Sequence, residues 1–159
     1  MATTINFPST PSVNQTYTYG TTTYVWDGIR WHPEYTSSFE VIQLAVSDET
    51  SAISIGANKV KFRMPYAMTI TSVRASTSIA AAGPAGDKVI VDINENGTSI
   101  LSTKLTIDVS QTTSTTAAVP VVISDTNLAD DSEISIDIDG VGDYFGGAGL
   151  KVTLIGTRN

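Results

Sequence analysis

Apolar and polar side chains alternate, one for one, along four separate stretches of this chain, and that rhythm restricts its fold more than any other feature. In KVKFRM, Val60, Phe62 and Met64 fall on one side and Lys59, Lys61 and Arg63 on the other. In KVIVDIN, Val89, Val91 and Ile93 oppose Lys88, Ile90, Asp92 and Asn94. EISIDID sets Ile134, Ile136 and Ile138 against Glu133, Ser135, Asp137 and Asp139, and GLKVTLIG adds the row Leu150, Val152 and Leu154. Successive side chains of a strand point to opposite faces, so this period marks antiparallel strands with one face on a core and one in water. No segment sustains a helical period.

Turn residues punctuate these stretches. Asn96-Gly97 separates VDINE from TSILSTKLTI and is a two-residue hairpin signal, because both central positions of such a turn need positive φ. AAGPAGD (81–87), SQTTSTTAA (110–118) and DGVGDYFGGAG (139–149) read as longer loops. With FEVIQLA (39–45), MTITSVRAS (68–76) and VPVVI (119–123), about eight strands follow. The expected fold is all-β: an antiparallel β-sandwich over residues 37–159, arranged as a jelly roll.

Composition bounds the function. The chain has 159 residues, 41% hydrophobic and only 16% charged, which suits a packed domain and not a disordered one. Sixteen acidic against nine basic residues give a net charge of -7, which repels a polyanion; Lys59, Lys61 and Arg63 stand singly along one strand, so nucleic acid is not an expected partner. The absence of cysteine removes disulfides, thiol nucleophiles and cysteine-ligated zinc. MATTINFPST lacks the basic start and apolar run of a secretory signal, and no apolar stretch approaches the length of about 20 residues that spans a bilayer. The expectation is a soluble protein made in a cytoplasm, without membrane insertion.

Residues 1–36 differ in texture, being rich in proline and holding both tryptophans, with PEYTSS (33–38) as the joint. If Asp27-Gly28 forms a two-residue turn, Trp26 faces Ile29, Val25 faces Arg30 and Tyr24 faces Trp31, which puts Tyr24, Trp26, Ile29 and Trp31 on one face. QTYTYG supplies a preceding strand, giving a three-stranded meander. A unit this small, with neither disulfide nor metal, needs a neighbour to cover its aromatic face. Rings beside Asp and Asn also suit a sugar platform, but packing for assembly is the preferred reading. Phe7, Pro8 and Pro11 hold the preceding chain extended.

Catalytic and metal chemistry find little. His32 is the only histidine and has no Gly-x-Ser-x-Gly elbow to serve; no P-loop, dinucleotide fingerprint or His-x-x-x-His pair occurs. Within LADDSEISIDIDGVGD, Asp130, Asp131, Asp137, Asp139 and Asp143 offer oxygens, with Asp137, Asp139 and Asp143 as weak cation candidates; the spacing departs from the EF-hand at Val141, and a solvated acidic face is the default. A glycan hydrolase using Asp137 and Asp139 as paired carboxylates is a third class of reading, weakened because strand alternation sets the two side by side. No cofactor is expected.

The stretch INFPSTPSVNQTYTYGTTTYVWDGIRWHPE resembles a short module recurring in tail and virion structural proteins of bacteriophages, through Phe7, Pro8, Pro11, Tyr17, Thr18, Tyr24, Trp26, Asp27, Gly28 and Trp31. VKFRMPYAMTITSVRAS and DINENGTSILSTKLTID are similar to the β-rich domain of phage structural proteins. The resemblance implies a non-enzymatic virion component: a capsid decoration or cement protein, or a short head fibre, bound to the major capsid protein or other virion proteins. It also implies self-association, commonly as a homotrimer. Phe7, Pro8, Tyr17, Tyr24, Trp26, Ile29 and Trp31 are then the expected assembly residues. The alternative is a tail or fibre appendage whose loops bind host-surface glycan.

Overall fold

The computed structural model describes residues 5–34 and 39–159, which belong to two compact units, Met1–Ser38 and Phe39–Asn159. The expected boundary between 36 and 37 lies outside the described residues.

The first unit is an antiparallel meander of β1 (Thr16–Tyr19), β2 (Thr22–Trp26) and β3 (Trp31–Pro33). Tyr19 pairs with Thr22 across a two-residue turn in which Gly20 takes φ +62, a conformation glycine adopts without a Cβ penalty. The second turn departs from expectation. Trp26 pairs with Trp31, Val25 with His32 and Tyr24 with Pro33, so the loop contains Asp27 to Arg30 and not Asp27-Gly28 alone. The cause is the Asp27 side chain. Its Oδ1 accepts the backbone N–H groups of Ile29 and Arg30, each at 2.8 Å, and this Asx-type closure competes with a tight hairpin. Ile29 is thereby carried off the aromatic face and is 85% exposed.

The second unit contains β4 (Phe39–Ala45), β5 (Gly56–Arg63), β6 (Met68–Ser76), β7 (Lys88–Glu95), β8 (Thr98–Ser99), β9 (Leu101–Thr103), β10 (Leu105–Asp108), β11 (Val122–Ile123), β12 (Asn127–Leu128), β13 (Glu133–Gly140) and β14 (Lys151–Arg158). A single 3-10 turn, Ser114–Thr116, is the only helical element among the described residues. Two antiparallel sheets, ordered β10-β7-β13-β5 and β12-β6-β14-β4, form a sandwich around one core. Along the chain the strands of these sheets alternate between them, except that β7 and β10 pair directly.

The alternating rows supply the core. Val89, Val91, Ile93, Ile134, Ile136, Leu150, Val152 and Leu154 have no exposed surface. Burying a side chain of this size is worth about 1.5–3 kcal/mol, which is why the period-two rows determine the face each strand turns inward. Asn96 and Gly97 take φ 49 and 82, the double positive φ of a type I′ hairpin between β7 and β8. The stretch after that turn does not remain one strand. Ile100 N–H still reaches the Ile93 carbonyl, but β9 leaves β7 to pair with β11, and β10 returns to it with Leu105 opposite Val91. VPVVI is correspondingly shorter as a strand than expected, since only Val122 and Ile123 join a ladder.

Candidate functional site

Five rings of the first unit gather into one cluster. Tyr17 pairs with Tyr24 and Trp26 with Trp31, and alternation along β2 puts Tyr24 and Trp26 on the same face. Phe7, from the segment before β1, lies across that face. It stacks on Trp31 and meets Tyr24 and Tyr17 edge-on at centroid distances of 5.0 and 5.5 Å. Tyr17 and Trp26 also contact Trp31, at 6.2 and 5.7 Å. Offset and edge-to-face pairs of this kind add about 0.5–1.5 kcal/mol each beyond burial. The structure therefore brings together five of the seven expected assembly residues, Phe7, Tyr17, Tyr24, Trp26 and Trp31; Pro8 is half-buried beside Phe7 in the chain, and Ile29 is exposed away from the cluster.

Part of the aromatic face is covered by the chain's own Phe7 and not by a neighbour. No described residue of this unit is fully buried, however, so the cluster keeps apolar surface to offer. Asp27 closes the loop beside it, and the N–H groups of Arg30 and Ile29 hold its carboxyl below the usual range. His32 lies on β3, with Nδ1 3.2 Å from the Pro33 carbonyl oxygen.

The acidic residues do not converge. On the outer face of the β13 sheet, Asp137 accepts hydrogen bonds from Asn58 N–H and Asn94 Nδ2. Asp139 instead pairs with Lys104 at 2.6 Å. Lys104 also lies 3.1 Å from Asp92, whose side chain is 8% exposed, and these two carboxylates raise the lysine's pKa, Asp139 first. Asp92 is further held by Ser99 Oγ at 2.6 Å and Ile93 N–H at 2.9 Å. Asp143 is elsewhere, its backbone N–H donating to Asp87. Asp131 offers its carbonyl to Arg63. Among the described residues no three Asp, Glu or His side chains are grouped to hold a metal ion. The Asp137 and Asp139 pair is committed to two different cationic and amide partners, which is structural use of carboxylates.

Two features had no signal in the sequence. Between β6 and the segment that carries β11 lies an open groove of about 590 Å³, lined by Ile70, Val73, Val121, Val122 and Ile123. The second is the loop 139–149, which glycines let pack closely. A β-carbon on Gly142 would run into the Ala82 carbonyl oxygen, and one on Gly146 into that of Ile53. This closely packed loop displays Tyr144 at 78% exposure.

No family model matches this chain, and neither the curated proteins nor the solved structures yield a match.

Proposed function

We propose that this chain is a non-enzymatic structural component of a bacteriophage virion, a capsid decoration or cement protein or a short head fibre on the head exterior. One observation carries the reading. Seven of the ten positions through which the N-terminal stretch resembles a recurring virion module have a visible part in its fold: Phe7, Tyr17, Tyr24, Trp26 and Trp31 form the ring cluster. Asp27 closes the loop, and Gly28 takes φ +98 within it. A motif whose rings pack together and whose Asp-Gly pair shapes a loop is consistent with a reusable attachment unit more than with a catalytic signature. The alternation of strands between a five-stranded and a four-stranded sheet supports the jelly-roll reading of the second unit, an architecture frequent in capsid proteins. Self-association and contact with the major capsid protein follow from that role.

Copy number tests it. Quantitative mass spectrometry of purified particles carrying the chain is expected to find it on the order of hundreds of copies each, as icosahedral head symmetry requires. A few to dozens of copies supports a tail or fibre appendage, and absence from particles overturns the reading. The appendage alternative draws on Tyr144, an exposed ring on a closely packed loop beside Asp143, which is a geometry suited to stacking on a sugar. Its test is glycan binding that Tyr144→Ala abolishes.

A further inference from the structure

Among the described residues the sandwich has four strand edges, and three are protected against pairing with another chain. β12 has two residues and β10 four, too short to template a partner. β5 is long, but it carries Lys59, Lys61 and Arg63 and is interrupted by Asn58 at φ 55. Charged side chains and irregular backbone are the usual means of blunting an edge. β4 has none of these. It runs seven residues without proline, lysine or bulge, matched one for one with β14 from Phe39–Thr157 to Ala45–Lys151. Phe39 and Val41 stand 70% and 54% exposed on its outer face.

We propose that two copies of this chain associate through β4, pairing antiparallel across a two-fold axis at Ile42. The hydrogen-bonding groups permit it. Val46 N–H donates to the Leu150 carbonyl at 2.8 Å, so in this ladder the even-numbered residues of β4 bond to β14. Phe39, Val41, Gln43 and Ala45 then present their N–H and C=O groups to the open side. Centring on Ile42 gives full overlap and opposes Phe39 to Ala45 of the second copy and Val41 to its Gln43, all hydrogen-bonded pairs. A large ring meets a small side chain. On the inner face Ile42 meets Ile42 of the second copy, and half-buried Ile42 and Leu44 gain cover from it.

Charge selects the same occupant. The only charged residue of β4 is Glu40, which accepts a hydrogen bond from Tyr66 at 3.1 Å, and in this register it faces Leu44 of the second copy. No like charges oppose each other, whereas β5 paired with itself would bring lysines together. A symmetric contact of this type is self-complementary, and it gives a dimer where the family resemblance implies a trimer. The inference is independent of any virion role.

The chain contains no cysteine, which makes the register directly testable in the full-length protein. Oxidised Ile42→Cys is expected to form a covalent dimer, because the residues flanking the axis in a non-hydrogen-bonded pair come within disulfide reach. Leu44→Cys, opposed to Glu40, is expected not to. Sedimentation velocity of the wild-type chain should show a monomer–dimer equilibrium. Val41→Pro removes an N–H only on the open side and should weaken association about tenfold or more with circular dichroism unchanged. If Val41→Pro fails to fold, Val41→Lys is read in its place. A wild-type chain that stays monomeric up to about 1 mM, a trimer indifferent to these variants, or equal cross-linking of both cysteine variants overturns the proposal.

Discussion

The Phe7 ring lies almost parallel to the Trp31 indole, at 5.3 Å between centroids and 10° between planes. A residue outside any strand thus covers one face of the tryptophan that would otherwise be open for a ligand. Phe7→Ala is expected to destabilise the first unit by about 1–3 kcal/mol, since a half-buried ring and three aromatic contacts are lost. Trp26 and Trp31 are the only tryptophans, so their fluorescence during denaturation reports this unit alone, and far-UV circular dichroism of the sandwich should be unaffected.

Lys104 stands between Asp92 and Asp139 on the outer face of the β13 sheet. Its side chain is 44% exposed, so solvent screening limits its worth. Lys104→Ala is expected to cost about 1 kcal/mol, most of it from leaving largely buried Asp92 without a countercharge. Asp92→Asn introduced into that variant should recover part of the loss. A double-mutant cycle in urea measures the coupling, and additive effects would contradict it.

Gly156 lies at the bulge between β14 and β6, where a β-carbon would strike the Thr69 carbonyl oxygen. Gly156→Ala must displace the backbone of β6 near the end of the sandwich where β14 finishes. A loss of about 1–3 kcal/mol is expected, seen as a lower denaturant midpoint with unchanged slope. Gly97→Ala should cost less, because Gly97 has open space and only its φ of +82 resists a side chain.

Stability should fall at both extremes of pH, for separate reasons. The N–H groups of Ser51 and Thr50 hold Asp48 well below its ordinary value of 3.8, and Lys151 and Ser78 lower Glu49 from 4.5. Depressed folded-state values contribute stability that is complete above the ordinary carboxylate range and lost as pH drops through the folded-state values. Lys104 is raised from 10.5, so its contribution is complete below that value and lost as pH rises through the folded-state one. Thermal unfolding across pH should show both limbs, with Asp48→Asn flattening the acidic limb and Lys104→Met the basic one.

The period-two rows were readable because burial acts on every second residue of a strand, as Ile134, Ile136 and Ile138 illustrate. Asn96-Gly97 was readable because its turn depends on backbone freedom at two adjacent residues. Asp27-Gly28 has a similar local signal, yet the Asp27 side chain bonds the backbone two and three residues ahead and lengthens the loop. Propensity cannot register a choice between two such local bonds. The acidic run from Asp130 to Asp143 looked like one group because it is contiguous in the chain. In the fold its members turn to Asn58, Asn94, Lys104 and Asp87, partners distant in sequence. The outward placement of Phe39 and Val41 follows from the parity of β4 against β14, which a strand of mixed apolar residues does not reveal alone.

The first and last strands of the sandwich are neighbours, with Phe39 opposite Thr157. The polypeptide therefore enters and leaves this unit at one end, while the turns around Asp48, Ile79 and Tyr144 occupy the other. Tension applied between those two ends of the polypeptide would open the β4–β14 ladder from Thr157 one rung at a time. Tension between residue 39 and the far turns would load all the rungs of that ladder together. Loaded in the second way, the ladder yields only when many of its hydrogen bonds break at once.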